Sequence, residues 1–359
     1  MENMIKIGPM NKTLMKGNEA IGEAAILAGC RHYFGYPITP QNEITAYMAK
    51  RMAEIGGTFI QSESELAAIN MVFGAAVAGA PAMTSSSSPG ISLKQEGISY
   101  LAGCELPAVI VNIMRAGPGL GDITPSQSDY FQATRGGGHG DYYHIALAPA
   151  NVQEAVELTI LAFDLSFKYR NPVLILGDGL LGQMAEPVSL KIRNPKSEIR
   201  NPKDWALTGC KGREPRMIRS LILEEGALER HNLKLQEKFR KMKDEIRWEG
   251  SNLSDAEVVL VAFGTMARIC KSVINEQRGK GLKIGLLRPI TLWPFPQRAV
   301  REAAKKAKAF LVVEMNYGQM VEDVSLAVNG QVPVHFFGRG GGGIPAPDEI
   351  SAKLKEILS

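Results

Sequence analysis

Three polar residues have the type and setting to do chemistry. Thr39 lies in GYPITPQNEI (35–44), between Pro37 and Pro40. Each proline fixes φ and lacks an amide donor, so the backbone between them is held extended and the hydroxyl projects from a stiff turn. Such a turn is a structural corner or a ligand clamp. Glu65 stands in QSESELAAINMVFGAAVAGA. A helix starting near Ser64 places Glu65 in line with Ile69, Val72, Phe73 and Ala76, on the apolar face. A carboxylate desolvated there must find a partner or take up a proton, and a protonated buried Glu can donate to a ring nitrogen. Equally, Glu65 and Glu63 could simply complement a helix N-terminus. Arg115 follows the apolar run PAVIVNIM and opens RAGPGLGD. A guanidinium at the end of a buried strand can take a substrate carboxylate in a bidentate pair, or form an ion pair with Asp122 or Asp129.

Other stretches offer less. GRGGGG (338–343) satisfies GxGxxG but is followed by IPAP where a helix should start, so a tight loop is expected rather than a dinucleotide site. GDG (177–179) opens like the magnesium motif of thiamine diphosphate enzymes, yet no paired Asn follows at the usual interval. RGGGHGDYYH (135–144) has two histidines without ligand spacing and reads as a loop approaching another backbone or subunit. SSSSPG (85–90) could hold an anion on its amides or be a polar strand-to-helix turn. Cys30, Cys104, Cys210 and Cys270 have no metal-cluster spacing and are expected to be buried, reduced thiols.

The elements that must position these residues follow an α/β pattern. Strand-like runs RHYFGYP, TFIQSES, PAMTSSSSPG, PAVIVNIMRAGPG, HIALAPA and PVLILGDG alternate with helical stretches at 18–28, 65–78 and 151–170. This predicts a parallel sheet covered by helices, with ligands outside the carboxyl ends of the strands. From 191 to 250 the chain turns charged and Pro-broken, with a near-duplicated heptad (IRNPKSE, IRNPKDW) and one exposed helix in EGALERHNLKLQEKFRKMKDEIRWEG. A second, smaller parallel sheet is predicted from EVVLVAFG, LKIGLLRP, AFLVVEMN and VPVHFFG. The expected division is 1–190, an inter-domain excursion at 191–253, and 254–359. A net charge of +4 over 359 residues gives no basic block for nucleic acid or an anionic membrane, and no run approaches the ~20 apolar residues of a membrane span. A cytoplasmic protein is expected.

In order, YPITP, QSESELAAINMVFGAAVAGA, SSSSPGISLKQEGISYLAGCELPAVIVNIMRAGPG and VAFGTMARI with RPITLWPFP resemble the 2-oxoacid:ferredoxin oxidoreductases over most of the chain. The resemblance implies a thiamine diphosphate pyrimidine-binding-like domain followed by a transketolase C-terminal-like domain. It is the alpha subunit of a split enzyme that this chain is similar to, with Mg2+, the diphosphate and the [4Fe-4S] clusters on partner chains. A beta subunit, gamma and ferredoxin-like delta subunits, and ferredoxin itself are the partners implied.

Carried over by the same resemblance, Glu65 falls on the glutamate that hydrogen-bonds the cofactor's aminopyrimidine. Thr39 and Arg115 fall on the pair that meets the substrate carboxylate. The implied reaction is oxidative decarboxylation of a 2-oxoacid, with the acyl group passing to coenzyme A and electrons to ferredoxin. The run from KQEGISYLAG to GQMAEP is most similar to the 2-oxoisovalerate (branched-chain, 3-methyl-2-oxobutanoate) alpha subunits, with the 2-oxoglutarate alpha subunits as the alternative. A non-catalytic scaffold that docks the beta chain is the alternative of another class.

Overall fold

The computed structural model describes residues 12–190 and 204–358. Apolar runs in the first half become β2 (His32–Gly35), β3 (Thr58–Gln61), β4 (Ala82–Ser86), β5 (Ala108–Met114), β6 (Ile145–Leu147) and β7 (Pro172–Asp178), after a short β1 (Thr13–Lys16). In β4, β5 and β7 every residue is buried, as expected of strands covered on both faces. Then come β8 (Ala185–Val188), β9 (Trp248–Ser251), β10 (Val258–Val261), β11 (Ile284–Pro289), β12 (Thr291–Trp293), β13 (Ala309–Glu314) and β14 (Val334–Gly338).

The strands form a seven-stranded sheet, β12-β6-β7-β5-β4-β2-β3, and a five-stranded sheet, β14-β13-β10-β11-β9. Both are parallel except at one edge, where β12 runs antiparallel to β6 and β9 antiparallel to β11. The wholly parallel sheets expected from the sequence are corrected at these edges. β1 and β8 pair as a separate antiparallel ribbon that the sequence did not signal. Helices Gly17–Leu27, Glu65–Val77 and Val152–Tyr169 agree with the expected stretches, the last capped by Asn151, which accepts from the Glu154 amide at 2.8 Å.

Sequence position does not separate the two sheets cleanly. Thr291–Trp293, from the second half, extends the first sheet, and Trp293 stacks on Tyr143 at 4.8 Å. Trp248–Ser251, inside the expected excursion, belongs to the second sheet. The buried Arg288 on β11 clamps Glu154 of the first half at 2.7 and 2.8 Å and Glu249 at 2.8 Å. The duplicated heptads at 192–205 lie outside the described residues except for Asp204 and Trp205.

The expected exposed helix is Ala227–Met242, and its WEG end is strand instead. It is not a solvated rod. Leu235, Phe239 and Met242, spaced four and three residues apart, are buried on one face, and Phe239 meets Tyr143 edge-on at 5.6 Å. Lys234 and Lys238 pair with Glu105 at 2.5 and 3.7 Å, so part of its charge docks the helix to the first sheet's layer. Phe239→Ala should therefore cost about 3 kcal/mol. The expected outcome is a lower denaturant midpoint for the assembled protein and faster proteolytic nicking between residues 204 and 226, and an unchanged midpoint would make this docking peripheral.

Candidate active site

The carboxyl ends of β2, β3, β4 and β5 lie side by side, because these strands are parallel neighbours. Each is followed by one of the segments singled out in the sequence. The Thr39 turn follows β2, Glu65 follows β3, Ser87–Gly90 follows β4, and Arg115 follows β5.

Glu65 is the first residue of its helix, whose N-cap Ser64 accepts from the Ala67 amide at 3.2 Å. It is 5% exposed, with Ile69, Val72 and Ala76 buried behind it as the periodicity predicts and Phe73 half-buried. Glu63 is exposed, so burial selects Glu65 between the two carboxylates. Opposite stands Gly90, in the first turn of the helix Pro89–Gly103. A Cβ on Gly90 would lie 2.5 Å from Glu65 Oε1 and closer still to Ser86 Oγ. A side chain is therefore excluded where the carboxylate and the hydroxyl converge. The hydroxyls of Ser86 and Ser87 are buried and have no hydrogen-bond partner among the described residues. Buried polar groups in a folded protein are nearly always satisfied, so orphaned hydroxyls beside a carboxylate suit a polar ligand.

Arg115 is 8% exposed. Its Nη1 donates to the Thr39 carbonyl at 3.0 Å and its Nη2 to the Leu120 carbonyl at 2.8 Å, while Nε is buried and has no partner among the described residues. The structure thus joins Arg115 to the Thr39 loop through the main chain, and Thr39 Oγ1 accepts from Asn42 at 3.0 Å. Neither anticipated ion pair forms. Asp122 turns to the Ile123 amide and the Thr124 hydroxyl. Asp129 accepts from Ser88 Oγ at 2.6 Å and Asn112 Nδ2 at 2.9 Å, and burial pushes its carboxyl above the usual range against those bonds.

Glu65 and Arg115 are linked through the turn between β4 and its helix. Gly90 meets Glu65, and at the other end the Arg115 amide donates to Ser88 Oγ at 3.0 Å. Ser88 carries φ +26°, a strained value for a non-glycine, held by its amide bond to Asn112 Oδ1 at 3.0 Å and its hydroxyl bond to Asp129. Asn112, and the bonds of Ser88 and Asp129 to each other, escaped the sequence analysis, because nothing in an SSSSPG run or an apolar strand shows which Ser or Asn meets a distant carboxylate. Lys94, fully buried beside Glu65, was also missed.

Beside Arg115 opens a cavity of about 510 Å3, lined also by Ser88, Asp129, Phe131, Asn316 and Tyr317. It lies between the two sheets' loops, since Gln127 Nε2 donates to the Phe263 carbonyl at 2.9 Å and the Gln127 amide to the Met315 carbonyl at 2.9 Å. The GRGGGG segment, a loop as expected, supplies Gly340 and Gly341 to its wall. Asp178 of GDG is buried, caps the Leu181 amide at 3.0 Å and lies against Thr265, and burial pushes its carboxyl up. Gly137 and Gly138 of RGGGHGDYYH press on Gln95, the close backbone approach anticipated there. Cys30, Cys104 and Cys270 are buried as expected, whereas Cys210 is exposed.

Residues 23–247 match the family described as pyruvate flavodoxin/ferredoxin oxidoreductase, thiamine diphosphate-binding, and residues 256–350 match pyruvate:ferredoxin oxidoreductase core domain II. The chain is 49% identical over 351 residues to the ketoisovalerate oxidoreductase subunit VorB of Methanothermobacter marburgensis, covering 97% of this chain and 98% of that one. It is 43% identical over 324 residues to the 2-oxoglutarate synthase subunit KorA of Archaeoglobus fulgidus, covering 88% and 91%. Among solved structures it is similar to a 2-oxoglutarate:ferredoxin oxidoreductase from Magnetococcus marinus, determined with 2-oxoglutarate, coenzyme A and succinyl-CoA bound. That likeness has a TM-score of 0.83 at 26% identity and covers 98% of this chain and 66% of that chain. A split-gene transketolase shares the fold at a TM-score of 0.60 and 14% identity. With both family domains matched in order and a relative at 49% identity along nearly its whole length, the chain belongs to the 2-oxoacid:ferredoxin oxidoreductases and carries that family's thiamine diphosphate-binding domain.

Proposed function

We propose that this chain is the alpha subunit of a complex that oxidatively decarboxylates 3-methyl-2-oxobutanoate, with release of CO2, transfer of the acyl group to coenzyme A and reduction of ferredoxin in the cytoplasm. The observation that carries the reading is the convergence of Glu65, Gly90 and the orphaned Ser86 hydroxyl at the strand ends, in a chain 49% identical to a ketoisovalerate oxidoreductase subunit. A beta subunit would cover this edge and contribute the diphosphate and Mg2+ site. The [4Fe-4S] clusters would lie on partner chains, including a delta subunit, alongside a gamma subunit. Leu120, Ile123 and Tyr317, 78%, 59% and 82% exposed near the cavity and Arg115, suit such cover.

Thiamine diphosphate, when bound, supplies the carbon nucleophile and electron sink for cleaving the bond beside a keto group. The residues present fit its pyrimidine end. Glu65 Oε1 holds and moves a proton at a ring nitrogen, and the bare face of Gly90 leaves room for that ring. Arg115, through the free Nε–H, and Thr39, through its hydroxyl, bind and orient the 2-oxoacid carboxylate. Arg115 is the one cation lining the cavity among the described residues, and Phe131 and Tyr317 add apolar wall, which suits a monocarboxylate with a branched apolar tail. The 43% identical 2-oxoglutarate synthase subunit supports 2-oxoglutarate as the second reading. The assembled complex assayed on a 2-oxoacid panel, with ferredoxin or viologen reduction as readout, should prefer 3-methyl-2-oxobutanoate. Preference for 2-oxoglutarate would move the assignment, and no turnover of any 2-oxoacid would leave the scaffold reading.

In that complex Glu65→Gln should cut kcat at least 100-fold, on the order of 3 kcal/mol of barrier, with assembly intact, because an amide cannot give or take the proton. Glu63→Gln is the control and should keep most activity. A mild effect of Glu65→Gln, about 0.3–1 kcal/mol on stability alone, would return Glu65 to a helix-terminus role.

For the carboxylate clamp, Arg115→Ala should lower kcat/KM roughly 30- to 1000-fold, corresponding to about 2–4 kcal/mol. Thr39→Val should lose about 1 kcal/mol. Wild-type kcat/KM for Arg115→Ala on every 2-oxoacid would remove it from the site.

A further inference from the structure

Among the described residues Lys94 is the one buried lysine, with no accessible surface at all. It stands on the helix Pro89–Gly103 four residues after Gly90 and three before Gly97, on the face that presses against the helix Glu65–Val77. A Cβ on Gly97 would lie 2.6 Å from Ile69, and one on Gly90 2.5 Å from the Glu65 carboxylate. The two glycines therefore bring the helices close enough to seal the lysine stem between them. Its Nζ ends 3.1 Å from Thr84 Oγ1 and 3.4 Å from the main-chain carbonyl of Glu65. These neutral oxygens take its donors, and among the described residues no carboxylate forms an ion pair with it.

The charged surroundings of the amine are sparse. β4 and β5 contain no ionisable side chain, the helix Glu65–Val77 contains only Glu65, and on β2, which packs on that helix, the buried Tyr33 hydroxyl is bonded to Ser85 and Thr45. On its own helix Glu96 and Tyr100 are exposed and bonded to each other at 2.7 Å. On the loop packed outside, Tyr142 turns to Gln95, and on β7 Asp178 turns to Leu181 and Thr265. Burial pushes the Lys94 amine down to about 7, and the charge of Glu65 opposes that fall. Burying a charged lysine among neutral partners is costly, and Glu65 is the carboxylate that favours its charge.

We propose that Lys94 is a positioning residue for Glu65, setting from behind its helix the charge state of the carboxylate and hence the pH range in which Glu65 exchanges a proton with its ligand. The proposal rests on the role given to Glu65 above. Nζ reaches the main chain of Glu65 at 3.4 Å, and in a low-dielectric enclosure a nearby positive charge favours the ionised form of a neighbouring carboxylate.

The test uses the assembled complex carrying Lys94→Met, which keeps the volume and removes the charge, Lys94→Gln as a second variant, and Glu65→Gln for reference. Two readouts are taken across pH: kcat/KM, and the protons exchanged when thiamine diphosphate binds the cofactor-stripped complex, by calorimetry in buffers of different ionisation enthalpy. Both Lys94 variants should assemble, with the acid midpoint of kcat/KM raised by about one pH unit and the proton-exchange midpoint moved likewise, so that kcat/KM falls by up to about tenfold on the acid side of the wild-type midpoint. A rate loss with unmoved midpoints, an unaltered profile, or failure of both variants to assemble would each reduce Lys94 to a packing residue and overturn the proposal. If Glu65→Gln keeps its turnover, the catalytic reading of Glu65 fails by itself. Calorimetry then still decides whether Lys94 governs the proton on Glu65.

Discussion

Everything at the strand ends depends on how closely two helices meet. Glu65–Val77 and Pro89–Gly103 touch at Gly90 and Gly97, and neither position has room for a Cβ without displacing the Glu65 carboxylate or Ile69. That approach turns an acidic residue in a first helical turn, ordinarily a solvated complement to the helix dipole, into a buried group. It also closes the lid on Lys94. The spacing Gly90, Lys94, Gly97 is one helical face, and a larger residue at either glycine would open the enclosure to water and relieve the electrostatic tension inside it.

The turn between β4 and the second helix carries this geometry to Arg115. Its strain at Ser88 persists because three bonds, from the Ser88 amide, the Ser88 hydroxyl and the Arg115 amide, over-determine it. Asp129 and Asn112 therefore shape the site by fixing the turn. On the far side, Gln127 binds main-chain groups at the ends of β10 and β13, so the second sheet braces the loop that follows Arg115. A parallel sheet offers this arrangement naturally, because adjacent strands end on the same edge and their loops converge.

Much of the fold and of the candidate site was legible in the sequence. Strands such as PAVIVNIM and PVLILGDG are continuous apolar runs bounded by Gly and Pro, which only a doubly covered parallel strand explains well. Glu65 could be preferred to Glu63 because a 3.6-residue period is a local property, and the buried Ile69, Val72 and Ala76 report it. Less legible were the short edges. Thr291–Trp293 and Trp248–Ser251 are too short to announce themselves, and their sheets were decided by which neighbouring edge lay within reach, with Trp293 stacking on Tyr143. The helix Ala227–Met242 looked solvated because its charges outnumber its apolar residues, though three of the latter at the right spacing were enough to dock it.

By itself the sequence determined the α/β alternation, the loops that carry Thr39, Glu65 and Arg115, and the inward face of the Glu65 helix, because each follows from local periodicity and from proline's fixed φ. Only the tertiary structure decided what those side chains meet. Arg115 binds the main chain of the Thr39 loop rather than Asp122 or Asp129, Ser88 and Asp129 hold the turn, and a lysine in an unremarked helix lies sealed beside Glu65. Such partners are set by the packing of segments tens of residues apart, and a single chain written in one dimension carries no record of that distance.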